Sequence, residues 1–284
     1  MTNELVRKFN DIENVNSFPE IDLNYKVSKE EAWSNLMTRM DNPIESGRSI
    51  SLSPVFRFAL AASFLLLVGV TSFFRFYTKT FVSNAGEHLT CMLPDDSYVE
   101  LNAGSSIQYH PFWFIVSRIV ELNGEAYFQV THGNQFKVLS NLGETTVLGT
   151  SFNIFSREND YNVTCFTGKV QVLSFAKHKS VLLYPNERVY IGQEGNLHLI
   201  QEVKSPSVIS WRDNNFFFTG ASVISVLQEI ERQYNIKIQF KGNPGLTYTG
   251  NFSKTLSEKE VLDLVCTSLG LTFESDSKTE FRIN

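Results

Sequence analysis

The sequence predicts a mainly β protein with a small α+β portion, carried behind a single transmembrane helix. Three observations predict it: an uncharged apolar run from Phe58 to Phe74, a turn-punctuated series of short strand patterns over residues 81–203, and strands alternating with two capped helices over residues 209–284. Composition sets the frame. Of 284 residues 42% are hydrophobic, with 16 glycines and 3 cysteines, which excludes a disordered chain, a collagen-like one and a disulfide scaffold. A net charge of −5 gives no global reason to bind nucleic acid or anionic lipid.

Residues 1–57 are polar, and their best helix is Ser28–Met40. Ser28 can cap it, Glu31 follows three residues later, and Trp33, Leu36, Met37 and Met40 fall at i, i+3, i+4 and i+7. A lone helix of this length is marginal in water, so the apolar stripe is expected to meet a partner or a membrane surface.

The run from Phe58 to Phe74 has roughly 17 residues, ~26 Å of helix, and extension to Val55 and Tyr77 completes a bilayer crossing over residues 55–77. Arg57 and Arg75 close it, with stems long enough to reach headgroups. The run has no polar face, unlike a helix on a globular core. It also starts too late for a cleaved signal peptide and lacks a small-residue cleavage site. Arg39, Arg48 and Arg57 before it, against Arg75 and Lys79 after it, tilt the balance slightly towards an inside N-terminus.

Over residues 81–203 apolar and polar side chains tend to alternate, most clearly in Ile119–Val130 and Val163–Phe175, the period of a half-buried strand. Glycines at 104, 124, 149, 168, 192 and 195 and the Pro185-Asn186 pair supply turns. A sandwich or β-solenoid of roughly ten strands is expected. From residue 209 the pattern changes. Asn215–Phe218 reads as a strand, Ser222 caps a helix with Val223, Val226, Leu227, Ile230 and Tyr234 on one face, and Ile236–Phe240 is a strand. Thr247–Phe252, a Ser257/Glu260 capping box, the face Val261, Leu262, Val265 and Leu269, the stop at Gly270 and Leu271–Glu274 repeat it at an offset of about 35 residues. Asn235 thereby aligns with Gly270. Thr279–Ile283 closes a small domain of two βαβ-like units.

No catalytic, cofactor or metal constellation stands out. The five histidines (88, 110, 132, 178 and 198) show no ligand spacing and read as solvated residues, and no nucleophile elbow, phosphate loop or dinucleotide fingerprint occurs. Asp95 with Asp96, or Glu121 with Glu125, are surface carboxylates on this reading. Cys91, Cys165 and Cys266 match no zinc pattern and read best as buried thiols. The chain reads as a protein that binds or transmits, not an enzyme.

Three ordered motifs carry a family resemblance. They are Leu93-Pro94-Asp95-Asp96-Ser97 leading into Leu101-Asn102-Ala103; Arg118-Ile119-Val120 followed by Gly124-Glu125-Ala126-Tyr127-Phe128; and Val147-Leu148-Gly149-Thr150-Ser151-Phe152, with Gly168-Lys169-Val170 after them. The sequence resembles the FecR-type anti-sigma factors of the Bacteroidetes variety, with Asp96 and Asn186 standing where the family usually has glycine. Residues 211–235 look like the family's C-terminal domain, which is similar to the short N-terminal domain of secretins and TonB-dependent receptors.

The resemblance implies an inner-membrane protein with a cytoplasmic N-terminus and periplasmic domains over 81–203 and 209–284. It implies two protein partners: an extracytoplasmic-function sigma factor, held at Trp33, Leu36, Met37 and Met40, and the signalling domain of a TonB-dependent outer-membrane transporter. Release of the sigma factor would follow proteolysis; Gly69, Thr71 and Ser72 weaken the span near its outer end, which suits intramembrane cleavage and equally fits ordinary tolerated residues. The rival reading is a membrane-anchored periplasmic binding module with no sigma-factor role.

Overall fold

The computed structural model describes residues 26–41, 53–158, 160–192, 194–203 and 205–284. Most of the predicted polar segment 1–57 therefore lies outside the described residues. The chain divides into two units, Met1–Ser63 and Phe64–Asn284.

Helix α1 spans Lys29–Asp41, and the Ser28 hydroxyl accepts from the Glu31 amide at 3.2 Å, as its N-terminal sequence requires. Helix α2 spans Pro54–Phe76, 23 residues with none buried, which fits a single-pass membrane anchor. Strand β1 (Lys79–Ser83) begins only two residues later.

Thirteen strands follow: β1, β2 (Leu89–Met92), β3 (Tyr98–Leu101), β4 (Ser105–Tyr109), β5 (Arg118–Gln129), β6 (Phe136–Leu139), β7 (Gly143–Val147), β8 (Ser151–Arg157), β9 (Asp160–Cys165), β10 (Val170–Ser174), β11 (Lys179–Leu183), β12 (Arg188–Ile191) and β13 (Leu197–Ile200). They form a sandwich whose sheets share β5. One sheet runs β1-β4-β5-β6-β7-β10-β11 and the other β2-β3-β5-β8-β9-β12-β13. After β5, successive hairpins go alternately to the two sheets. Leu101, Phe128, Phe152 and Ile154 of one sheet and Ile107, Val120, Phe136 and Val138 of the other meet in a single core.

The first half of β5 pairs with β4 and β6, the second with β3 and β8. The change of sheet falls at Gly124, whose φ is +103°, and a Cβ there would lie 2.8 Å from Ser105 Cα. Opposite it, the corner Asn102–Gly104 carries the chain from β3 into β4. The Asn102 amide donates to the Glu125 carbonyl (2.9 Å), the Glu125 amide donates to Ser105 Oγ (3.0 Å), and the Arg157 guanidinium donates to the carbonyls of Ala103 (2.8 Å) and Gly104 (3.0 Å). The two family motifs around Asn102 and Gly124 are thus the two sides of one fold in a bent hairpin.

The remaining motif residues brace the same lobe. Asp95, two residues past Leu93, accepts from Arg118 Nε at 2.7 Å, while Arg118 also donates to the carbonyls of Asn134 and Thr131. Phe128 stacks on Phe152 with centroids 5.1 Å apart. Gly168 leaves room for Thr150, whose Cγ2 a Cβ would meet at 2.5 Å, and Gly149 packs on His132. Asp96 and Asn186 adopt φ of 61° and 66°, so both take the left-handed conformation that glycine would supply. Cys91, Cys165 and Cys266 are buried free thiols.

The second lobe consists of β14 (Asn215–Ser222), α3 (Val223–Tyr234), β15 (Lys237–Phe240), β16 (Thr247–Ser253), α4 (Glu258–Leu269), β17 (Phe273–Ser275) and β18 (Glu280–Ile283). Each strand–helix–strand unit is divided between two sheets: the first strands, β14 and β16, pair with each other, and the second, β15 and β17, flank β18. The Ser257/Glu260 capping box is formed. Asn235 and Gly270, aligned by the repeat, both end their helices in the left-handed conformation, at φ 53° and 67°.

Replacing Gly124 with alanine should cost ~2–4 kcal/mol, because it sets a Cβ against the Ser105 backbone at a positive φ. Thermal unfolding of the full chain in detergent micelles measures this, and an unchanged midpoint would contradict it.

Candidate functional site at the junction of the lobes

The second lobe docks on the β3–β8 sheet through a polar cluster built on the β5 bend. Glu125, the residue after Gly124, is buried; Asn102 Nδ2 donates to its Oε2 and Asn153 Nδ2 to its Oε1, both at 2.8 Å. From α3 come Glu229 and Gln233. Gln233 Nε2 donates to Asn102 Oδ1 (2.7 Å) and Glu229 Oε1 (2.8 Å), and Arg232 Nη2 donates to Glu229 Oε2 (2.7 Å). Gln233 Oε1 then faces His88 Nε2 at 3.1 Å, so that nitrogen carries the proton. His88 lies edge-on to Trp211, and burial holds its pKa below the ordinary value. The expectation of a solvated residue is corrected for His88, which the second lobe covers.

The two carboxylates are set apart by their surroundings. Burial, and then the charge of Glu229, raise the pKa of Glu125. Burial acts on Glu229 too, but the Arg232 and Arg157 guanidiniums and the Gln233 and Arg232 hydrogen bonds together pull its pKa below the ordinary value. Glu125 is therefore the member of the pair that takes up a proton more readily and Glu229 the one that stays ionised to lower pH.

Arg212 Nε donates to Glu100 Oε2 at 2.9 Å, and the same guanidinium covers the Tyr127 ring at 4.1 Å. Tyr127, although on β5, belongs to the apolar core of the second lobe with Trp211 and Phe216. Beside these contacts a groove of about 370 Å³ runs between β14 and the outer face of the sandwich. Its lining includes Trp211, Asn153 and Arg188, with Trp211 Nε1 and Asn153 Oδ1 buried beneath the surface without a hydrogen-bond partner. No cluster of three metal-ligating side chains exists among the described residues.

Among the residues singled out in the sequence, Asn102 and Glu125 are drawn into this site; Leu93, Pro94, Asp95, Leu101, Arg118, Ala126, Phe128, Phe152 and Gly168 shape the sandwich beneath it. Glu229 and Gln233 were not singled out. Their signal was two polar residues four apart on the flank of the α3 apolar stripe. Trp33, Leu36, Met37 and Met40 lie together on one face of α1, in the other unit, and all are exposed, Trp33 at 61% and Met40 at 70%.

Comparison with known proteins places this architecture. The FecR protein family model matches residues 79–171 and the FecR C-terminal model residues 215–281. Two crystal structures of a candidate anti-sigma factor from Parabacteroides distasonis ATCC 8503 are similar. One is 27% identical over 72% of this chain and 98% of that one, and the other 28% identical over 73% and 98%, each with a TM-score of 0.66. No match is found among curated proteins. The chain belongs to the FecR family, a family of regulators.

The two carboxylates give stability opposite pH dependences. Glu229, with its pKa lowered from 4.5, contributes fully above that value and loses its contribution as pH falls through the folded pKa; Glu125, with its pKa raised from 4.5, favours the fold below that value and loses this as pH rises through its own. Glu125→Gln should therefore flatten the decline on the alkaline side at little cost, whereas Glu229→Gln should cost ~3 kcal/mol by stranding Arg232 and Arg157. Unfolding midpoints of both variants across the acidic-to-neutral range test the assignment; equal effects would reverse or abolish it.

Proposed function

We propose that this chain is a single-pass inner-membrane regulator that holds an extracytoplasmic-function sigma factor on the cytoplasmic side. In this reading its two lobes stand in the periplasm and take their signal from the signalling domain of a TonB-dependent outer-membrane transporter. The observation that carries the proposal is the exposed stripe of α1. Trp33, Leu36, Met37 and Met40 form an apolar face with no partner among the described residues, on a helix that precedes a membrane anchor in a FecR-family chain. Such a face is what a helix-in-groove contact uses. The likeness to a candidate anti-sigma factor supports the nature of the partner. The second lobe, two strand–helix–strand units on the sandwich, is in this proposal the short N-terminal-like domain that meets the transporter.

A lone span conducts little conformational change, so the relay proposed is proteolysis or altered partner occupancy. Thr71 Oγ1 bonds back to the Leu67 carbonyl at 2.8 Å, a local competitor for helix hydrogen bonds in the outer half of α2.

Wild-type chain should co-purify with a sigma factor, and Trp33→Ala with Met37→Ala should weaken that capture by ~2–4 kcal/mol, about thirty-fold or more. Failure of the wild type to capture any sigma factor, with target-gene expression unchanged in the double variant, would leave the anchored binding module. Orientation has its own check: alkaline phosphatase fused after Asn284 should be active, and an inactive fusion with an active cytoplasmic reporter at the same place would invert the topology.

A further inference from the structure

The connection from β4 to β5 is built unlike a solvent loop. Residues Pro111-Phe112-Trp113-Phe114-Ile115-Val116 carry no polar side chain except the indole N–H, and four of them are outside the core: Ile115 is 81% exposed, Val116 71%, Phe112 54% and Trp113 40%. Loops at an aqueous surface carry polar residues, and a contiguous patch of this kind marks an interaction site. The loop is also held rigidly. Phe114 is fully buried, edge-on to Tyr109 at 5.2 Å and Phe136 at 6.1 Å, and the amides of Val116 and Ser117 both bond to the Trp113 carbonyl at 3.0 Å.

Its position identifies the occupant. The Phe112 ring lies 4.7 Å from Phe74, in the last turn of α2, and 5.7 Å from Tyr77, while the Arg75 guanidinium sits 5.1 Å from the Trp113 ring. His110 Nδ1 donates to the Tyr77 carbonyl at 3.1 Å. Phe112 therefore stands level with the final apolar residues of the span, and Trp113 pairs with the arginine that ends it, the arrangement of an interfacial aromatic belt. With α2 as a membrane span, the neighbours of Phe74 not covered by the loop would be lipids.

We infer that the loop Pro111–Val116 is a second membrane contact, laid into the boundary between headgroups and acyl chains beside the end of α2, so that the sandwich rests on the bilayer. This rests on α2 being the membrane anchor.

The test uses the full chain in phosphatidylcholine vesicles containing lipid with a nitroxide near the carbonyl end of the acyl chain. Because the native thiols are buried, an environment-sensitive fluorophore goes selectively onto Ile115→Cys or, as control, Lys177→Cys. Lys177 lies in the β10–β11 turn, and β11 is five strand spacings from β4, ~24 Å away. The label at 115 should be blue-shifted and quenched several-fold more strongly than the label at 177. Equal quenching in vesicles from which carbonate cannot extract the chain overturns the loop contact and leaves the span standing; extraction of the chain overturns both. A label at 115 shielded from aqueous iodide but untouched by the lipid nitroxide would place a second copy of the chain on the loop and also overturns the inference.

Discussion

Much of the structure depends on one strand serving two sheets. A continuous β5 can pair on both sides of the sandwich only if it turns through its own axis, and the turn needs a residue with a positive φ and no side chain against Ser105. Once Gly124 supplies this, the rest follows in order. The partner hairpin must break at Asn102–Gly104 to stay in register, its freed carbonyls need the Arg157 guanidinium, and Glu125 is driven into the interior with Asn102 and Asn153 as its donors. The bend therefore sets the sandwich and also the polar platform on which the second lobe is seated.

That platform makes the junction both costly to leave and specific. Glu229, Gln233 and Arg232 come from α3, while Asn102, Glu125 and Arg157 come from the sandwich, and parting the lobes would strand several of them without hydrogen-bond partners. With the Arg212 contacts to Glu100 and Tyr127, the lobes are clamped at two places. A force on the second lobe is thus more readily passed on as movement of both lobes together than as a swing of one lobe on the other.

Features of short range were legible in the sequence. The span, the Ser28, Ser222 and Ser257 caps and the Asn235–Gly270 correspondence are set by residues within a few positions of one another, and local rules reach that far. The corners were legible as turns but not as changes of sheet. Gly104 and Gly149 mark turns, but the strand-like residues around them give no sign that the chain passes from one sheet to the other at Asn102–Gly104 and Leu148–Thr150, and roughly ten expected strands became thirteen. Glu125 read as a surface carboxylate because its burial depends on a helix whose Gln233 is 131 residues from Asn102. Alternation reports which face of a strand is covered, and it is silent about what covers the other.

The join between α2 and β1 carries one further consequence. Only Tyr77 and Thr78 separate them, a link that spans ~7 Å when fully extended. Such a tether has no slack to absorb a pull. β1 is an edge strand paired with β4 alone, so a load applied to the lobes passes straight into that ladder and the end of the helix. Any displacement beyond the reach of two residues must either peel β1 from β4 or shift the end of α2, and the chain is in that sense built as a force-bearing line from the sandwich to the helix.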